Sequence, residues 1–304
     1  MRLVLLRHVL PILTALALLL LLIFTSDLTI ETVERVLAAL TWVHIAAFVT
    51  ISIVLLYLSA VKWRLVMGTL PPPGASIPSL SASFFYTCIG AALSLAFMPH
   101  VAMPMGRALG ARLHAAQPFA RTVGASLLEQ VFDLAAIAFF AAFGIAVLLP
   151  AALPFVVALV LAGIGTIGLL VARPALLPRR LQDSGVLELL RTNLPLGLAT
   201  ISIVRYLLVG LRAFIIAAPA GITLTPPEFF ASFSLVQLSR IVAVTPMGLG
   251  IIDWTWAGVL SVFDLPLAVA ASFVLLSRSL NLLSTLAALA LSAVLSADYR
   301  RSAA

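Results

Sequence analysis

The stretch that most constrains this chain covers residues 237–256, where an arginine, a Thr-Pro pair, two glycines and an aspartate interrupt an apolar region. Pro246 lacks a backbone donor and its ring clashes with the preceding helical turn, so a continuous helix is disfavoured at this point. Gly248 and Gly250 make departure from helical geometry easy. The sequence therefore predicts a break in the helix at Thr245, Pro246, Gly248 and Gly250.

Composition places this break in a membrane. Of the 304 residues, 63% are hydrophobic and 10% are charged, which leaves too few polar side chains to cover a soluble globule. We therefore expect an all-α integral membrane protein. At membrane depth, a broken backbone is tolerated only where protein or a water-filled cavity covers its polar groups, so the break itself indicates a site.

The charge distribution and the cysteine and histidine content limit which partners and cofactors the chain can be expected to bind. The net charge is +7, but the basic residues are spread along the chain and do not form a patch with aromatic side chains. Cytoplasmic loops and membrane lipids account for them better than nucleic acid does. One cysteine and four dispersed histidines give no metal-ligand spacing, so no metal and no cofactor is expected.

The positive-inside rule orients the apolar segments. Arginines near both termini and in residues 173–191 place those parts in the cytoplasm, whereas the acidic loop that follows the first helix fits the outer side. We expect a multi-pass cell-membrane protein of the bacterial inner-membrane type, with both termini cytoplasmic. About six spanning helices are predicted, at residues 9–25, 42–61, 122–149, 154–171, 194–218 and 267–295.

Two further apolar segments are expected to form re-entrant helical hairpins. A full crossing after residue 78 would carry Arg107 to the outside, whereas a hairpin over residues 79–112 returns it to the cytoplasm. A second hairpin, over residues 229–263, enters from the outer side and contains the break described above. The turn of the first hairpin is predicted at the helix-breaking residues Pro99, Pro104 and Gly106.

The two halves of the chain repeat one order of elements. Residues 1–149 and 150–304 each supply two spanning helices, a hairpin and a further helix. Together they form one transmembrane domain of two inverted repeats, a plan common in secondary transporters, whose sites lie at the repeat interface. The two breaks should therefore meet near the bilayer midplane and enclose a polar cavity, with Arg107, Arg240 and Asp253 nearby.

Charged and polar side chains occur inside these apolar segments. At roughly 2.5–3.5 kcal/mol per charge, even seven such charges would cost about 17–25 kcal/mol in lipid, more than a typical folding stability of about 5–15 kcal/mol. They must therefore face the protein interior. They comprise Glu129 and Asp133 on one helix face, Arg205 and Arg212 on another, Arg278 and Asn281 on the last helix, and Arg107, Arg240 and Asp253 at the breaks.

The two acidic residues allow two interpretations. Glu129 and Asp133 fit either a gating or proton-coupling role or a structural ion pair with an arginine. Lys62, Trp63 and Arg64 follow a predicted spanning helix, and they are interpreted as an anchor at the inner membrane interface.

The arginines also allow two interpretations. Arg107, Arg240 and Arg278 are interpreted as ligands for a lipid headgroup, because a guanidinium matches phosphate geometry and these residues lie near the predicted cavity. Arg205 and Arg212 are predicted to take part in gating or in ion pairs with the acidic residues. They also fit the role of headgroup ligands, although snorkelling could carry Arg212 to a membrane interface.

Several motifs resemble those of a known family, in the same order along the chain. They are YLSAVKWRLVM, FMPHVAMPMGRAL, LLEQVFDLAAI, LSRIVAVTPMGLGIIDWTW and the SRSLN segment around Arg278. They cover about residues 50–300. On these motifs the chain resembles the lysylphosphatidylglycerol synthase transmembrane-region family, also called flippase-like domain or YbhN-like proteins.

The resemblance implies a function in moving membrane lipids. The best-understood family members move aminoacylated phospholipid between leaflets, so a polar lipid, anionic or aminoacylated, is expected to enter the cavity between the hairpins. Arg107, Arg240 and Arg278 would hold its headgroup. Asp253 and Glu129 would position or release those cations as the cavity opens to either side.

The chain departs from the family pattern at several positions. His100 and the pair Met103-Pro104 stand where many relatives are rich in glycine. Gln130 stands where the family has arginine, and Asp253 stands where glutamate is usual. The missing arginine removes the ion pair within that helix, so Glu129 is expected to find its partner on a different helix.

Two other classes of function compete with lipid transport. An intramembrane enzyme would need a nucleophile or a metal constellation, and the dispersed histidines with a lone Asp253 do not supply one. The chain is therefore not predicted to be an enzyme. A membrane scaffold, acting as the accessory partner of a lipid-biosynthetic enzyme without transport, remains the alternative.

Overall fold

The computed structural model describes residues 2–70, 77–115, 117–155, 157–158, 192–242 and 245–303. Within these ranges the regular structure is helical and includes no strand, so the all-α class is confirmed there. The α-helices are α1 (Arg2–Thr25), α2 (Ile30–Ala39), α3 (Trp42–Thr69), α4 (Leu80–Leu93), α5 (Pro99–Ala115), α6 (Phe119–Leu148), α7 (Leu194–Ile215), α8 (Pro226–Val242), α9 (Ile251–Ser261) and α10 (Leu267–Ala303).

Four of these helices are long and apolar enough to cross a membrane: α3, α6, α7 and the Leu267–Ser296 part of α10. The bent pair α1 and α2, with 98° between its two parts, makes a fifth if it is counted as one span. The composition is thus that of a membrane protein, as predicted. The predicted helix at 154–171 lies mostly outside the described residues, and the arginine-rich loop at 173–191 lies outside them.

Helix α2 occupies the acidic stretch that the sequence suggested was a loop. Thr29 caps it, because its hydroxyl oxygen accepts a hydrogen bond from the Thr32 amide at 3.2 Å. Glu31 lies in the first turn, where a negative charge is favourable beside the helix N-terminus. These two local signals start a helix despite the polar composition.

Helices α4 and α5 pack against each other as a helical hairpin, but its turn differs from the prediction. The chain reverses at residues 94–98, before the prolines. Pro99 is the first residue of α5, a position that proline favours because the first amides of a helix have no partner anyway. Pro104 and Gly106 lie inside α5. The predicted break at these residues is corrected accordingly.

Gly106 allows α5 to pack closely against α4 and does not form a turn. A Cβ atom added at Gly106 would lie 2.4 Å from the Cα atom of Gly90 on α4, a distance that real Cβ contacts do not show. The two arms therefore touch backbone against backbone. This contact fixes the height of α5 against α4, and with it the position of the adjacent Arg107.

Helices α8 and α9 form the second hairpin, and the chain leaves α-helical geometry where the sequence predicted. A single 3-10 turn, Pro246–Gly248, lies between the two helices. Gly248 and Gly250 have φ values of 68° and 80°, in the left-handed region that favours glycine. The Thr245 hydroxyl closes the turn by donating to the Leu249 carbonyl oxygen at 2.8 Å.

The two hairpins pack in a reciprocal way. Helix α4 of the first hairpin contacts α10, and α8 of the second hairpin contacts α6. Helix α3 lies at the centre, where it touches α4, α6, α7 and α10. A large apolar core holds the second hairpin against α10 through ring contacts such as Trp256 with Phe273, whose centroids are 4.8 Å apart.

Candidate functional site

Five charged side chains from four helices form what we call the paired cluster. Its members are Lys62 on α3, Arg107 on α5, Glu129 and Asp133 on α6, and Arg205 on α7. Each of them has an opposite charge within 4.0 Å. The cluster thus ties together four elements that are distant in the chain.

Arg107 and Glu129 form the buried half of the paired cluster, with exposed fractions of 1% and 2%. The Arg107 Nη1 group donates to Glu129 Oε2, and its Nη2 group donates to the Ser59 hydroxyl at 2.8 Å. Its Nε group donates to the Thr87 hydroxyl at 3.1 Å. Because every nitrogen of the guanidinium has a partner, Arg107 offers nothing to a ligand.

Asp133 is the carboxylate at the centre of the other half of the paired cluster. It accepts hydrogen bonds from Lys62 Nζ at 2.6 Å, from the Ser202 hydroxyl at 2.8 Å and from Arg205 Nη1. Lys62 also donates to the Ser202 hydroxyl at 2.6 Å, so both α3 and α7 are fixed to α6 at this level.

The sequence interpretation of Lys62 and Trp63 as an interfacial anchor is corrected by these contacts. Both side chains are 0% exposed. Helix α3 does not end at residue 61 but continues to Thr69, which buries Lys62 and Trp63 in the bundle and leaves Arg64 exposed. The Trp63 indole lies under the Arg107 guanidinium, 5.6 Å from it, and donates to the Thr122 carbonyl oxygen at 3.3 Å.

A second polar region, which we call the arginine cavity, has a volume of about 360 Å³. Four charged side chains line it: Arg212, Arg240, Asp253 and Arg278. Pro99 and His100 at the start of α5 also line it, as do Met247 and Gly248 in the break of the second hairpin. The ends of the two hairpins therefore meet at this cavity, as the sequence predicted.

The arginine cavity holds a single ion pair in the part of the chain that the structure describes. Asp253 Oδ1 accepts from Arg278 Nε at 3.0 Å and from Arg278 Nη2 at 2.6 Å. Its other oxygen accepts from the Gly250 amide at 2.8 Å, which caps the start of α9. Asp253 is therefore committed both to the helix end and to Arg278.

Arg212 is held without a carboxylate. Its Nη1 group donates to the Ser52 hydroxyl at 2.9 Å, and its guanidinium lies 4.8 Å from the centre of the Phe48 ring. Its Nε atom is buried and has no hydrogen-bond partner. Among the described residues, Arg212 forms no salt bridge, and the two salt bridges of α7 are both made by Arg205.

Arg240 is the least satisfied cation of the cavity. Among the described residues, its guanidinium has no carboxylate within 4.0 Å, and its Nε atom is buried without a partner. Like-charge repulsion reaches it from Arg278 and Arg205. Only its backbone is held, because its carbonyl oxygen lies 2.8 Å from His100 Nε2 at the tip of the first hairpin.

The positions of the remaining candidates follow from these two regions. Asn281 lines the arginine cavity and donates to the Ser277 carbonyl oxygen at 2.8 Å. Arg107 does not line the cavity, contrary to the sequence prediction, because α5 carries it into the paired cluster. Glu129 has its partner on a different helix, as the departure at Gln130 led us to expect.

Sequence reasoning missed the buried ion pair of Lys62, whereas a place for Arg212 at the cavity was one of the interpretations that it left open. A signal for Lys62 was present, because a lysine in a helix that continues for two more apolar turns must find a buried carboxylate. Across the residues that the structure describes, no group of three or more His, Cys, Asp or Glu side chains could hold a metal ion.

Comparisons with known proteins add no relative. No protein-family model, no curated protein and no solved structure matches this chain.

Proposed function

We propose that this protein moves a polar lipid between the two leaflets of a membrane, with the headgroup passing through the arginine cavity. In this proposal, Arg212, Arg240 and Arg278 bind the headgroup, and Asn281 adds a polar contact. The lipid tails stay in the bilayer. Asp253 holds Arg278 in place between binding events.

One observation carries the proposal. Two guanidinium groups, those of Arg212 and Arg240, face a cavity between two hairpin ends without a carboxylate partner in the described part of the chain. A buried cation is costly unless it is paired, so an arrangement of this kind favours an anionic ligand. Arginine is well suited to bind phosphate, because its planar fork presents parallel donors.

The architecture supports a transporter in a second way. We propose that residues 1–149 and 150–304 form inverted repeats of about six spanning helices with two re-entrant hairpins. The reciprocal contacts of α4 with α10 and of α8 with α6 are those expected when each hairpin rests on the last helix of the other half. Transporters of this plan bind substrate between the broken helices of the two repeats.

In this proposal the paired cluster is structural and serves as the fixed part around which the cavity opens. It joins α3, α5, α6 and α7 by ion pairs in which each cation has a carboxylate partner. The ends of the hairpins are joined by fewer polar contacts, such as that of His100 with the Arg240 carbonyl oxygen. Movement between the hairpin ends is therefore easier than movement within the cluster.

The motifs that resemble the flippase-like family are consistent with this proposal and with a cell-membrane location in which both termini are cytoplasmic.

Lipid translocation in proteoliposomes tests the function. Fluorescent lipids are placed in one leaflet, and the fraction that reaches the other leaflet is followed with a membrane-impermeant quencher. We expect the purified chain to speed this movement at least tenfold over protein-free vesicles.

Two variants and a control make the test specific. Arg240→Gln and Arg278→Gln should lose most of the movement, whereas Arg112→Gln, which removes an exposed arginine, should retain it. Full movement in both cavity variants would contradict the roles of these arginines. No movement with the unmodified chain would favour the scaffold function instead.

A further inference from the structure

The arginine cavity has a charge balance that restricts its ligand. Three arginines and one aspartate line it, which gives a net charge of +2 when His100 is neutral. Asp253 neutralises Arg278 through two hydrogen bonds to one oxygen. The surplus therefore belongs to Arg212 and Arg240.

These two cations stand on different helices, α7 and α8, and both line the cavity. Ser52 and Phe48 hold the guanidinium of Arg212 from α3. His100 at the tip of α5 holds the backbone of Arg240 at the cavity wall. Two like charges that line one cavity disfavour each other. A ligand with two negative charges would neutralise both, and a ligand with one would leave a positive charge.

We infer that the cavity binds a lipid whose headgroup is a phosphate monoester. This inference rests on the proposed function and narrows its substrate. A phosphate monoester carries about −1.5 to −2 charge near neutral pH and three acceptor oxygens, whereas a phosphodiester carries one charge and two free oxygens. Two arginine forks can share the three oxygens of a monoester.

The same charge balance disfavours an aminoacylated headgroup. Such a lipid carries an ammonium group, which would meet two unpaired guanidiniums and only one carboxylate, already engaged with Arg278 and Gly250. The volume of about 360 Å³ is also near the lower end of ligand pockets, which run from about 300 to 1,000 Å³, and suits a small headgroup.

The apolar part of the wall points to a lipid as the source of the phosphate. Phe48, Val209, Phe233 and Val274 line the cavity beside the arginines. A free phosphate ion gains nothing from these side chains, whereas the glycerol and first methylenes of a lipid can cover them.

Binding to the purified full chain in nanodiscs tests the inference. The probes are dioleoyl phosphatidic acid, its methyl ester phosphatidylmethanol, lysyl-phosphatidylglycerol and inorganic phosphate, each titrated while tryptophan fluorescence is recorded. We expect phosphatidic acid to bind at least tenfold more tightly than phosphatidylmethanol, which differs by one methyl group and one negative charge. Lysyl-phosphatidylglycerol should bind most weakly of the three lipids, and inorganic phosphate more weakly than phosphatidic acid.

Variants tie this preference to the cavity. Arg240→Gln and Arg212→Gln should each reduce the preference for phosphatidic acid over its methyl ester to less than threefold, while Arg240→Lys keeps part of it. Arg112→Gln serves as the matched control on the exposed face of α5 and should keep all of it. If both glutamine variants retain the full preference, the assignment to these arginines is overturned.

The remaining outcomes separate this inference from the proposed function. Equal binding of the two phosphate lipids, or tighter binding of lysyl-phosphatidylglycerol, overturns the phosphate monoester while translocation can still be observed. Binding of inorganic phosphate with no binding of phosphatidic acid assigns the site to the free ion and overturns the lipid. If phosphatidic acid binds as expected but no lipid is translocated in proteoliposomes, the proposed function fails and the inferred specificity stands.

Discussion

In the paired cluster three cations surround two carboxylates, whereas in the arginine cavity three guanidiniums face one carboxylate. In the cluster every nitrogen of Arg107 has a partner, and Arg205, whose Nε atom has none, is still paired with Asp133. In the cavity, Arg212 and Arg240 lack a partner at Nε and, among the described residues, a carboxylate as well. Both regions lie among helices of membrane-spanning length. The comparison shows that an intramembrane charge alone does not mark a binding site. A charged side chain that lines a cavity and has no partner of opposite charge is a stronger indication of a binding site.

One helix serves both regions. Arg205 and Arg212 are seven residues apart on α7, so they lie on the same face about two turns apart. Arg205 turns to Asp133, where it completes the paired cluster, and Arg212 reaches Ser52 beside the cavity. The difference between them is therefore set by the neighbouring helices and not by their own sequence context.

The largest expected effect comes from breaking the paired cluster. Glu129→Gln leaves Arg107 buried without its counter-charge, and we expect this to lower the free energy of unfolding by about 3–5 kcal/mol. Ser59 and Thr87 would still accept from Arg107, but a neutral hydroxyl does not replace a carboxylate. Titration with sodium dodecyl sulfate, followed by tryptophan fluorescence, measures the change.

Glu31→Gln is the matched control for this variant. Glu31 forms an i,i+4 pair with Arg35, and their side chains are 82% and 73% exposed. Loss of such a surface pair should change the stability by about 0.5 kcal/mol or less. Similar losses in the two variants would mean that the paired cluster is hydrated and that the contrast between the regions is false.

A backbone contact that supports both regions gives the next largest effect. Gly106→Ala places a Cβ atom against the Gly90 backbone of α4, so the hairpin arms must separate, at a cost of about 1–3 kcal/mol. Because α5 carries both Arg107 and His100, the shift disturbs the cluster and the cavity together. Chemical unfolding of the variant measures the loss.

Gly258→Ala on α9 is the control for this substitution, because a Cβ atom there meets nothing within 4 Å. The same exchange should then raise stability by about 0.5–1 kcal/mol through helix propensity. A gain in both variants would show that the arms of the first hairpin are not in backbone contact.

The ion pair inside the arginine cavity should matter less than the cluster. Arg278→Gln leaves Asp253 with its hydrogen bond to the Gly250 amide and in a cavity that two other arginines line, so its negative charge stays partly compensated. We therefore expect a loss of about 1–2 kcal/mol from the charged hydrogen bonds removed. Thermal unfolding in detergent measures it, and Arg278→Lys should recover part of the loss. If Arg278→Gln lowers the stability as much as Glu129→Gln does, the ion pair of Arg278 with Asp253 is structural, like the ion pairs of the paired cluster.

The second hairpin shows what the sequence could predict. Its break depends on residues within one turn of each other: Pro246 cannot continue the helix, and the two glycines after it adopt positive φ. The first hairpin was predicted from charge placement, but its turn was assigned to prolines that in fact start α5 or lie inside it. Proline at a helix start and proline in a turn look alike in sequence.

Long-range pairing explains what the sequence could not predict. Lys62 bonds to Asp133, which is 71 residues away, and Arg107 bonds to Glu129, which is 22 residues away. Local composition around Lys62 fits a membrane interface equally well, since Trp and basic residues are enriched there. Only the packing of α3 between α6 and α7 distinguishes the two interpretations.

Among the cluster and cavity variants, Arg240→Gln has the smallest expected change in stability and gives the sharpest test of the comparison. Because this guanidinium has no carboxylate partner among the described residues and is repelled by Arg278, its removal should leave the free energy of unfolding within about 1 kcal/mol of the unmodified chain, or raise it. Lipid translocation should nevertheless fall by tenfold or more. Glu129→Gln should mainly lower the free energy of unfolding, and Arg240→Gln should mainly lower the rate of lipid translocation, so the two variants should be measured together. If Arg240→Gln unfolds as readily as Glu129→Gln, then Arg240 has a structural partner and the two regions do not differ in kind.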